Sequence, residues 1–360
     1  MKILAVCSTI NFRNFTRRAT IQAIKDEVEE LDLLFFTSIK NSFIEKISVP
    51  DIPFSTYHFW IPDKLKKFIF LNSLEHKLRN RFWERKISKY DLVFFTDPNQ
   101  AWLLPYLKKT KIVYLIRDPN VLQNKKFLNS ERELVNRAEL VVATSKNLAD
   151  HYLGKYHGIS HKKIHYWPNC VDTNIWKREK TRSATSTAQL VGIAGNFSIK
   201  RTDYSLLDYI TFNCPDLNFE IAGRLDYNQS KDFWDKILVR KNVKYLGDIP
   251  FEKLQEIVAR WNVGLVSDKI DEYSSYMHHN KVYQYLALGI PVVSLKIHED
   301  YIPLHPYVVL ADDYYQYTEA IRISLKQGKS ELFKKDCIDL ARLNSSEVRA
   351  REFLSLIKTI

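Results

Sequence analysis

Residues 278–294 read HHNKVYQYLALGIPVVS, a short helical stretch that leads directly into an apolar run. Asn280 is suited to cap the helix and Gly289 to end it, and the proline that follows can open a buried strand. Lys281 then lies in the first helical turn, where a cation opposes the helix dipole unless an anion is held nearby. Gln284 follows one turn later, within reach of the same space. The stretch therefore predicts a helix–strand unit that begins at an anion-binding site.

A second candidate anion site precedes this stretch. Gly195-Asn196 ends an apolar run, and Lys200-Arg201 follow just before a helical pattern that opens at residues 202–203. A glycine turn, two cations and a helix N-terminus suit an anion such as a phosphate. In this interpretation Tyr283 and its neighbours supply apolar walls. The structural alternative is a strand-ending turn and a capped amphipathic helix whose lysines are exposed.

Short apolar runs alternate with amphipathic stretches on both sides of these motifs. The first half contains KILAVCS, LDLLFFTS, DLVFFTD, KIVYLIRD, ELVVATS and KIHYWPN, and the second half contains QLVGIAGN, NFEIAGR, VKYLGDIP, VGLVS, PVVSL and YVVLADD. Regular alternation of such runs with helical patterns is typical of βαβ units and parallel sheets. The sequence therefore predicts an α/β protein with two doubly wound domains.

The boundary between the domains is expected where the composition changes. Residues 173–188 are polar and rich in Ser, Thr and charged residues, as a linker would be. We therefore expect an N-terminal domain over residues 1–172 and a C-terminal domain over residues 189–329. Residues 330–360 have a helical pattern and are expected to pack back toward the N-terminal domain.

Composition and charge exclude several classes of protein. The 360 residues are 45% hydrophobic, which is typical of a folded globular chain and not of a disordered one. A net charge of +12 favours anionic partners such as phosphates, nucleic acid or an acidic membrane surface. The four cysteines stand far apart without a CxxC pair, so a reducing compartment is expected and a disulfide framework is not. No apolar run approaches the roughly 18 residues of a spanning helix, which predicts a soluble or peripheral protein.

Three common nucleotide-binding signatures are missing from the sequence. Residues 8–11 (STIN) follow the first apolar run in place of GxGxxG, which disfavours a dinucleotide-binding site. The chain also has no GxxxxGK[ST] motif and no Asp-x-Asp triplet. A bound diphosphate would then be neutralised by Lys, Arg and helix N-termini, without a metal ion.

An ordered series of motifs resembles the GT-B glycosyltransferases of the glycosyl transferase group 1, or family 4-like, type. GNFSIKRTD, FEIAGR, VKYLGDIPFEKLQEIV, WNVGLVS and NKVYQYLALGIPVVS are similar to the donor domain of that group. RAELVVATSKNLADHY, followed by WPNCVDTNIW, is similar to the segment that ends the acceptor domain. The resemblance implies two Rossmann-like domains that face each other across a cleft, the first binding the acceptor and the second the nucleotide sugar.

The resemblance also implies roles for individual residues. Lys281 would lie near the donor phosphates and take part in catalysis. The other donor-binding residues would be Asn196, Lys200, Arg201, Gly223, Arg224, Tyr245, Leu246, Gly247, Asn280, Tyr283 and Gln284. Retaining members carry two glutamates eight positions apart, where this chain has Tyr276 and Gln284. Gln284 is similar to the pattern of the membrane-associated glucuronosyltransferase of xanthan assembly, an inverting enzyme, so the stereochemistry stays open.

Inversion would require a general base in the acceptor half of the chain. Asp118 follows the apolar run KIVYLIR, so it is expected at the carboxyl end of a strand, where α/β sheets bind ligands. Arg117 beside it would lower the pKa of its carboxyl group. Asp97 occupies the same kind of position and is the second candidate. Both aspartates also fit an ordinary turn, because Asp-Pro-Asn is a common turn opener.

Residues 57–89 combine many cations with aromatic side chains such as Phe68 and Trp83. A basic, aromatic helical segment of this kind can lie on an anionic membrane. The alternative is a helix packed on the N-terminal sheet with a solvated basic face. Peripheral contact with the inner face of the cell membrane would suit a lipid-linked acceptor.

Two groups of histidines are candidate ligands. His157, His161 and His165 have helical spacing, but Gly158 interrupts the pattern, so ordinary loop histidines are favoured over a metal site. The pair at residues 278–279 adjoins the predicted donor site and is a candidate for contact with the sugar or the phosphates.

The resemblance implies a cytoplasmic enzyme that moves a sugar from a UDP- or GDP-linked donor to a hydroxyl of a glycan or lipid-linked acceptor, in bacterial surface polysaccharide or glycoconjugate assembly. The implied partners are the nucleotide sugar and the acceptor, with no further cofactor. The alternative is a catalytically inactive GT-B subunit that binds or scaffolds. Nucleic-acid binding would also explain the charge, but the chain has no recognised nucleic-acid module.

Overall fold

A computed structural model of the chain describes residues 1–7, 18–38, 52–59, 80–178 and 189–360. It divides into two compact units, the first made of Met1–Pro168 and Arg349–Ile360 and the second of Asn169–Val348. Each unit is built on one parallel β-sheet with helices. The predicted α/β class with two Rossmann-like sheets is confirmed.

In the part of the chain that the structure describes, the first unit contains seven strands. They are β1 Lys2–Val6, β2 Glu30–Ser38, β3 Phe54–Phe59, β4 Leu92–Phe95, β5 Lys111–Ile116, β6 Leu140–Ala143 and β7 Ile164–Tyr166. Its helices include α1 Arg18–Lys25, α2 Asn80–Ile87, α3 Asn120–Gln123, α4 Phe127–Arg137 and α5 Leu153–His157, with a 3₁₀ helix at Pro98–Tyr106 and a π-helical turn at Leu148–Tyr152. The strand order is β3-β2-β1-β4-β5-β6-β7, and the pairs are parallel.

Within its described residues, the second unit contains six strands. They are β8 Leu190–Ala194, β9 Asn218–Ala222, β10 Val243–Tyr245, β11 Val263–Val266, β12 Val292–Leu295 and β13 Val308–Ala311. Its helices are α6 Tyr204–Asn213, α7 Lys231–Leu238, α8 Phe251–Val258, α9 Glu272–Ser275, α10 Asn280–Ala287, α11 Tyr314–Gln327 and α12 Glu331–Arg342, with 3₁₀ helices at Tyr227–Gln229 and Glu299–Leu304. A last helix, α13, spans Ser346–Ile357. The strand order is β10-β9-β8-β11-β12-β13.

The order of the second sheet fixes where a ligand site can form. The strands β8 and β11 are neighbours, and the chain winds away from them in opposite directions. At such a switch point the loops diverge and leave a crevice outside the carboxyl ends of the strands. Both strands are buried almost completely, which explains why they appear in the sequence as continuous apolar runs.

Glycines allow helices to pack closely against these two strands. A Cβ atom at Gly192 in β8 would lie 1.7 Å from a ring carbon of Trp261. A Cβ at Gly264 in β11 would lie 2.2 Å from the ring of Tyr285. Both distances are far inside van der Waals contact, so neither position can hold a larger residue without movement of an aromatic ring.

The predicted helical segment at residues 57–89 is wrong at its start. Residues 57–59 belong to β3, which pairs in parallel with β2. The run FSTYHF is rich in aromatic and β-branched residues, which favour a strand. Trp83 in α2 is fully buried and packs edge-on against Trp102, so its ring is not available to a membrane surface. Residues 60–79, which include Phe68, lie outside the described residues.

Other element boundaries differ slightly from the sequence expectations. Asn280 is the first residue of α10 and His279 occupies the cap position, so the predicted cap at Asn280 is one residue late. The expected helix end at Gly289 is observed, with a positive φ of 75°. All four cysteines are buried. Among the helices of the described ranges, none combines the length and the hydropathy that a bilayer-spanning helix needs.

Helices α12 and α13 both fall within residues 330–360. The first packs on α10 of the second unit. Phe353 of α13 packs against Phe94 and Trp167 of the first unit, with ring centroids 5.0 and 5.1 Å away. Residues 173–178 of the predicted linker are described and residues 179–188 are not.

Candidate functional site

A pocket of about 240 Å³ opens at the switch point of the second sheet, beside the carboxyl ends of β8 and β11. Five residues that the sequence singled out for donor binding line it: Asn196, Arg201, Asn280, Lys281 and Gln284. The pocket therefore combines the two stretches that the sequence marked separately as anion sites.

Glycines follow the ends of three neighbouring strands, β8, β9 and β10, and the first of them lines the pocket. The N–H of Gly195 donates to the carbonyl of Ala222 at 3.0 Å, and the N–H of Gly223 donates to the carbonyl of Gly247 at 2.8 Å. A Cβ at Gly223 would lie 1.9 Å from the carbonyl oxygen of Gly195, and its φ is 127°. Only glycine fits at Gly223, because both the conformation and the space exclude a side chain.

The loop after Gly195 is fastened to the end of β11. The N–H of Asp203 donates to the carbonyl of Ser267 at 2.8 Å, and the N–H of Lys269 donates to the carbonyl of Arg201 at the same distance. The carboxylate of Asp203 caps α6 by accepting from the N–H of Leu206 at 3.0 Å. These bonds hold the backbone of Arg201 in place, so its side chain extends toward the pocket from a fixed backbone position.

Lys281 brings a second cation to the pocket. Its Nζ lies 3.8 Å from the place that a Cβ on Gly195 would occupy, so the ammonium group stands directly above the end of β8. Burial lowers the pKa of Lys281, the carboxylate of Asp268 opposes that shift, and the nearby guanidinium of Arg201 adds to it. Two positive side chains therefore face the same space, where an anion would relieve their repulsion.

A buried hydrogen-bonded pair forms another wall of the pocket. The Nε2 atom of His279 lies 2.5 Å from Oδ2 of Asp268, and Nε2 of His298 lies 3.7 Å from the same oxygen. Burial lowers the pKa of His279 to about 4, although Asp268 opposes the shift. Burial would raise the pKa of Asp268, but His279, His298 and Lys281 outweigh it and hold that pKa well below the usual range. At neutral pH a neutral imidazole therefore donates its Nε2–H to a carboxylate.

Asp268, His279 and His298 are also of residue types that bind transition metals, with ligand atoms within 4.8 Å of one another. It is the one such group of three in the described part of the chain, so His157, His161 and His165 do not form another. A metal ion here would stand beside Lys281, whose charge already acts on Asp268. Electrostatic repulsion therefore opposes a divalent cation at this position.

The remaining predicted donor residues lie outside the lining of the pocket. Lys200 and Arg224 are exposed to solvent, and Tyr283 is a core residue that stacks on His278 at 5.6 Å. Gly223, Tyr245, Leu246 and Gly247 lie at the ends of β9 and β10. The hydroxyl of Tyr245 donates to the carbonyl of Gly223 at 3.0 Å, which ties these two strand ends together.

Sequence reasoning missed Asp268 and His298. Asp268 follows the buried run VGLVS at the carboxyl end of β11, the same kind of position that singled out Asp97 and Asp118. That signal was therefore available in the sequence. His298 had none, since its relation to Asp268 exists only in the folded unit.

In the first unit, Asp118 lies just after β5 and is paired with its neighbour. Nε of Arg117 donates to Oδ2 of Asp118 at 2.7 Å, and 15% of the Asp118 side chain is exposed. Asp97 instead caps the 3₁₀ helix by accepting from the N–H of Asn99 at 2.8 Å, and burial raises its pKa. Asp97 is thus committed to a structural bond, which leaves Asp118 as the better candidate base.

A buried carboxylate anchors the turn that follows Asp118. Glu131 accepts hydrogen bonds from Asn120 Nδ2 and the hydroxyl of Tyr152, both at 2.8 Å. The same hydroxyl accepts from the N–H of Val121 at 2.9 Å. His157 completes the group, with its Nε2 atom 3.0 Å from Glu131. The turn is therefore held through the side chain of Asn120 and the backbone N–H of Val121.

Comparison with known proteins supplies relatives for this fold. Residues 31–175 match the family model described as Glycosyltransferase Family 4. No curated protein sequence matches the chain. Among solved structures, Alr3699/HepE from Anabaena, in complex with UDP and glucose, has a TM-score of 0.75 at 13% identity and covers 100% of both chains.

Two further structures show how widely the fold is used. WaaG, a glycosyltransferase involved in lipopolysaccharide biosynthesis, has a TM-score of 0.68 at 11% identity over 99% of each chain. UDP-GlcNAc 2-epimerase from Neisseria meningitidis, bound to UDP-GlcNAc, has a TM-score of 0.60 at 12% identity over 100% of each chain. The likenesses establish the fold, and the family match in the first half indicates the activity. The chain is therefore a glycosyltransferase of the GT-B fold.

Proposed function

We propose that the chain transfers a sugar from a UDP-linked donor to a hydroxyl of a glycan or lipid-linked acceptor in the assembly of a bacterial surface polysaccharide or glycoconjugate. The observation that carries the proposal is the pocket at the switch point, where Lys281 and Arg201 face the glycine-rich end of β8. The complex of HepE with UDP and glucose supports UDP as the nucleotide. GDP remains the alternative nucleotide.

The two cations would hold the donor diphosphate and stabilise the charge that develops on it as the glycosidic bond breaks. The amides of Asn196, Asn280 and Gln284 would add hydrogen bonds, since each can both donate and accept. We keep Lys200, Gly223, Arg224, Tyr245, Leu246, Gly247 and Tyr283 as predicted members of the wider donor site.

Asp118 would act as the general base in the acceptor-binding domain. It would take the proton of the acceptor hydroxyl while that oxygen attacks the anomeric carbon, and the diphosphate would leave with the bonding electrons. Arg117, whose Nε donates to Oδ2 of Asp118 at 2.7 Å, would hold the carboxylate in a fixed orientation.

We also propose that the reaction needs no metal ion and that the protein works at the inner face of the cell membrane. The missing Asp-x-Asp triplet and the paired cations support the first point, because they replace a metal as the neutralising charge. The net charge of +12 supports attraction to an anionic surface. The proposed domains are residues 1–172 for the acceptor and 189–329 for the donor, joined by residues 173–188, with the C-terminal segment 330–360 returning to the first through α13.

The alternative is a catalytically inactive subunit that binds nucleotide sugars. Tyr276 and Gln284 favour it, because they stand where retaining members carry glutamates. A transfer and hydrolysis assay with UDP-, GDP- and dTDP-sugars, run with EDTA and with added Mn²⁺, separates the two. We expect turnover with a UDP-sugar that EDTA does not abolish. Nucleotide-sugar binding without turnover under either condition would favour the inactive subunit.

A further inference from the structure

The pocket in the second unit contains a histidine whose hydrogen-bonding chemistry differs from that of the two cations. Phosphate oxygens only accept hydrogen bonds at neutral pH, and the side chains of Lys281 and Arg201 only donate them. The phosphate oxygens and the two cationic side chains therefore match as acceptors and donors. His279 lines the same pocket but presents different chemistry.

The ring of His279 is fixed in orientation by its neighbours. Its Nε2 atom is 2.5 Å from the carboxylate of Asp268. Its backbone N–H donates to the hydroxyl of Tyr301 at 2.8 Å, and its ring stands at 89° to that of His298, with centroids 5.1 Å apart. Three contacts therefore fix the orientation of His279: one at its backbone N–H, one at its Nε2 atom and one with the ring of His298.

The partner at Nε2 also fixes which nitrogen carries the proton. A carboxylate only accepts, so Nε2 must hold the hydrogen. The neutral ring then has a lone pair at Nδ1. Within the described residues no donor is bonded to that atom. The pocket thus combines the two cationic donors, Lys281 and Arg201, with a neutral acceptor on the His279 ring.

An acceptor at this place selects for a hydroxyl group and against a phosphate oxygen. Two acceptors that meet without a hydrogen between them lose their bonds to water and gain none in return. We propose that Nδ1 of His279 accepts a hydrogen bond from a hydroxyl of the donor substrate, on its ribose or on the sugar that is transferred. The inference rests on the proposed function, because it assigns a second contact in the same donor site.

Calorimetric titrations with three probes distinguish the two sources of the hydroxyl. UDP, 2′,3′-dideoxy-UDP and UDP-glucose are each titrated into the wild-type chain, His279→Ala and His279→Gln. His161→Ala is the matched control, since that histidine is exposed in the first unit. One lost hydrogen bond weakens binding about fivefold to tenfold.

If the contact is with the ribose, we expect His279→Ala to weaken the binding of UDP by this factor. The affinity for the dideoxy analogue should stay unchanged. If the contact is with the transferred sugar, we expect the variant to weaken the binding of UDP-glucose by this factor. The affinity for UDP should stay unchanged. His279→Gln, whose amide oxygen accepts, should recover part of the lost affinity. Circular dichroism of each variant checks that the fold is kept.

Two outcomes overturn the inference. His279→Ala that binds all three probes with wild-type affinity shows that the ring makes no contact. Equal weakening of UDP and the dideoxy analogue shows an effect on the phosphates or the fold. A wild-type chain that binds none of the probes refutes the proposed function itself, and the inference fails with it.

Discussion

Lys281 is the residue on which the donor site depends most. Its ammonium group lies over Gly195 and shares the pocket with Arg201, so two positive charges are held close together. Asp268 compensates part of that charge from the other side. The arrangement is costly unless the pocket holds an anion for part of the protein's working cycle.

Replacement of Lys281 by Ala should therefore weaken UDP binding about tenfold to a hundredfold, since a charge-assisted hydrogen bond contributes about 1.5–3 kcal/mol. Isothermal titration calorimetry measures the change. Lys326→Ala, an exposed lysine on α11, is the matched control and should bind UDP as the wild type does. Equal affinities for UDP in Lys281→Ala and Lys326→Ala would remove Lys281 from the site.

His279 makes stability depend on pH in mildly acidic solution. Burial lowers its pKa from 6.5 in the unfolded chain to about 4 in the folded one, so between these values the unfolded chain binds more protons. Stability is therefore lost as the pH falls from 6.5 toward 4, by about 2 kcal/mol between pH 7 and pH 5. Urea unfolding at both values measures it. In His279→Gln the loss should be smaller, and an equal loss would contradict the assignment.

Where a local motif carried the signal, the sequence sufficed to bring candidate residues to the same pocket. Lys281, Arg201 and Asn196 each follow a strand-end glycine or begin a helix, so their place at the carboxyl edge of the sheet follows from chain order alone. The bond between Asp268 and His279 could not be predicted in this way. It depends on how α10 is oriented against the end of β11, which packing decides.

At the scale of elements, the close packing of strands and helices in the second unit depends on glycines. Gly192 and Gly264 let Trp261 and Tyr285 reach the sheet, and the hydroxyl of Tyr285 accepts from the N–H of Ala194 at 3.1 Å. The last residue of β8 is therefore bonded to the helix that carries Lys281. Strand, helix and pocket form one packed unit.

Gly192→Ala should lower the free energy of unfolding by about 1–3 kcal/mol, because the new methyl group overlaps the Trp261 ring and the core must shift. Gly154→Ala is the matched control, since a Cβ there meets no atom within 4 Å. Chemical denaturation measures both variants. If Gly192→Ala is as stable as the control, a methyl group fits between β8 and Trp261, which would contradict this packing.

Most elements were predictable because parallel strands buried on both faces appear as continuous apolar runs. The exception was β3, whose sequence FSTYHF mixes polar and aromatic residues and adjoins a basic stretch. Such an edge strand is specified by its partner β2 more than by its own sequence. The cap of α10 was misplaced by one residue because Asn280 has a cap residue's chemistry but adopts helical geometry.

At the scale of the whole molecule, the two sheets repeat one topology. Each has the strand order 3-2-1-4-5-6 when its own strands are counted from one, and the first adds a seventh strand. The class and the number of sheets followed from the alternation of apolar runs. Strand order did not, because neighbouring strands in a sheet are fixed by contacts between distant parts of the chain.

The central claim is that the second unit binds a nucleotide diphosphate through fixed cations and without a metal ion. Titration of the full chain with UDP in the presence of EDTA tests it most directly. We expect saturable binding at one site per chain, unchanged by EDTA and weakened by Lys281→Ala. Absence of binding, or binding that requires added Mn²⁺, would contradict it.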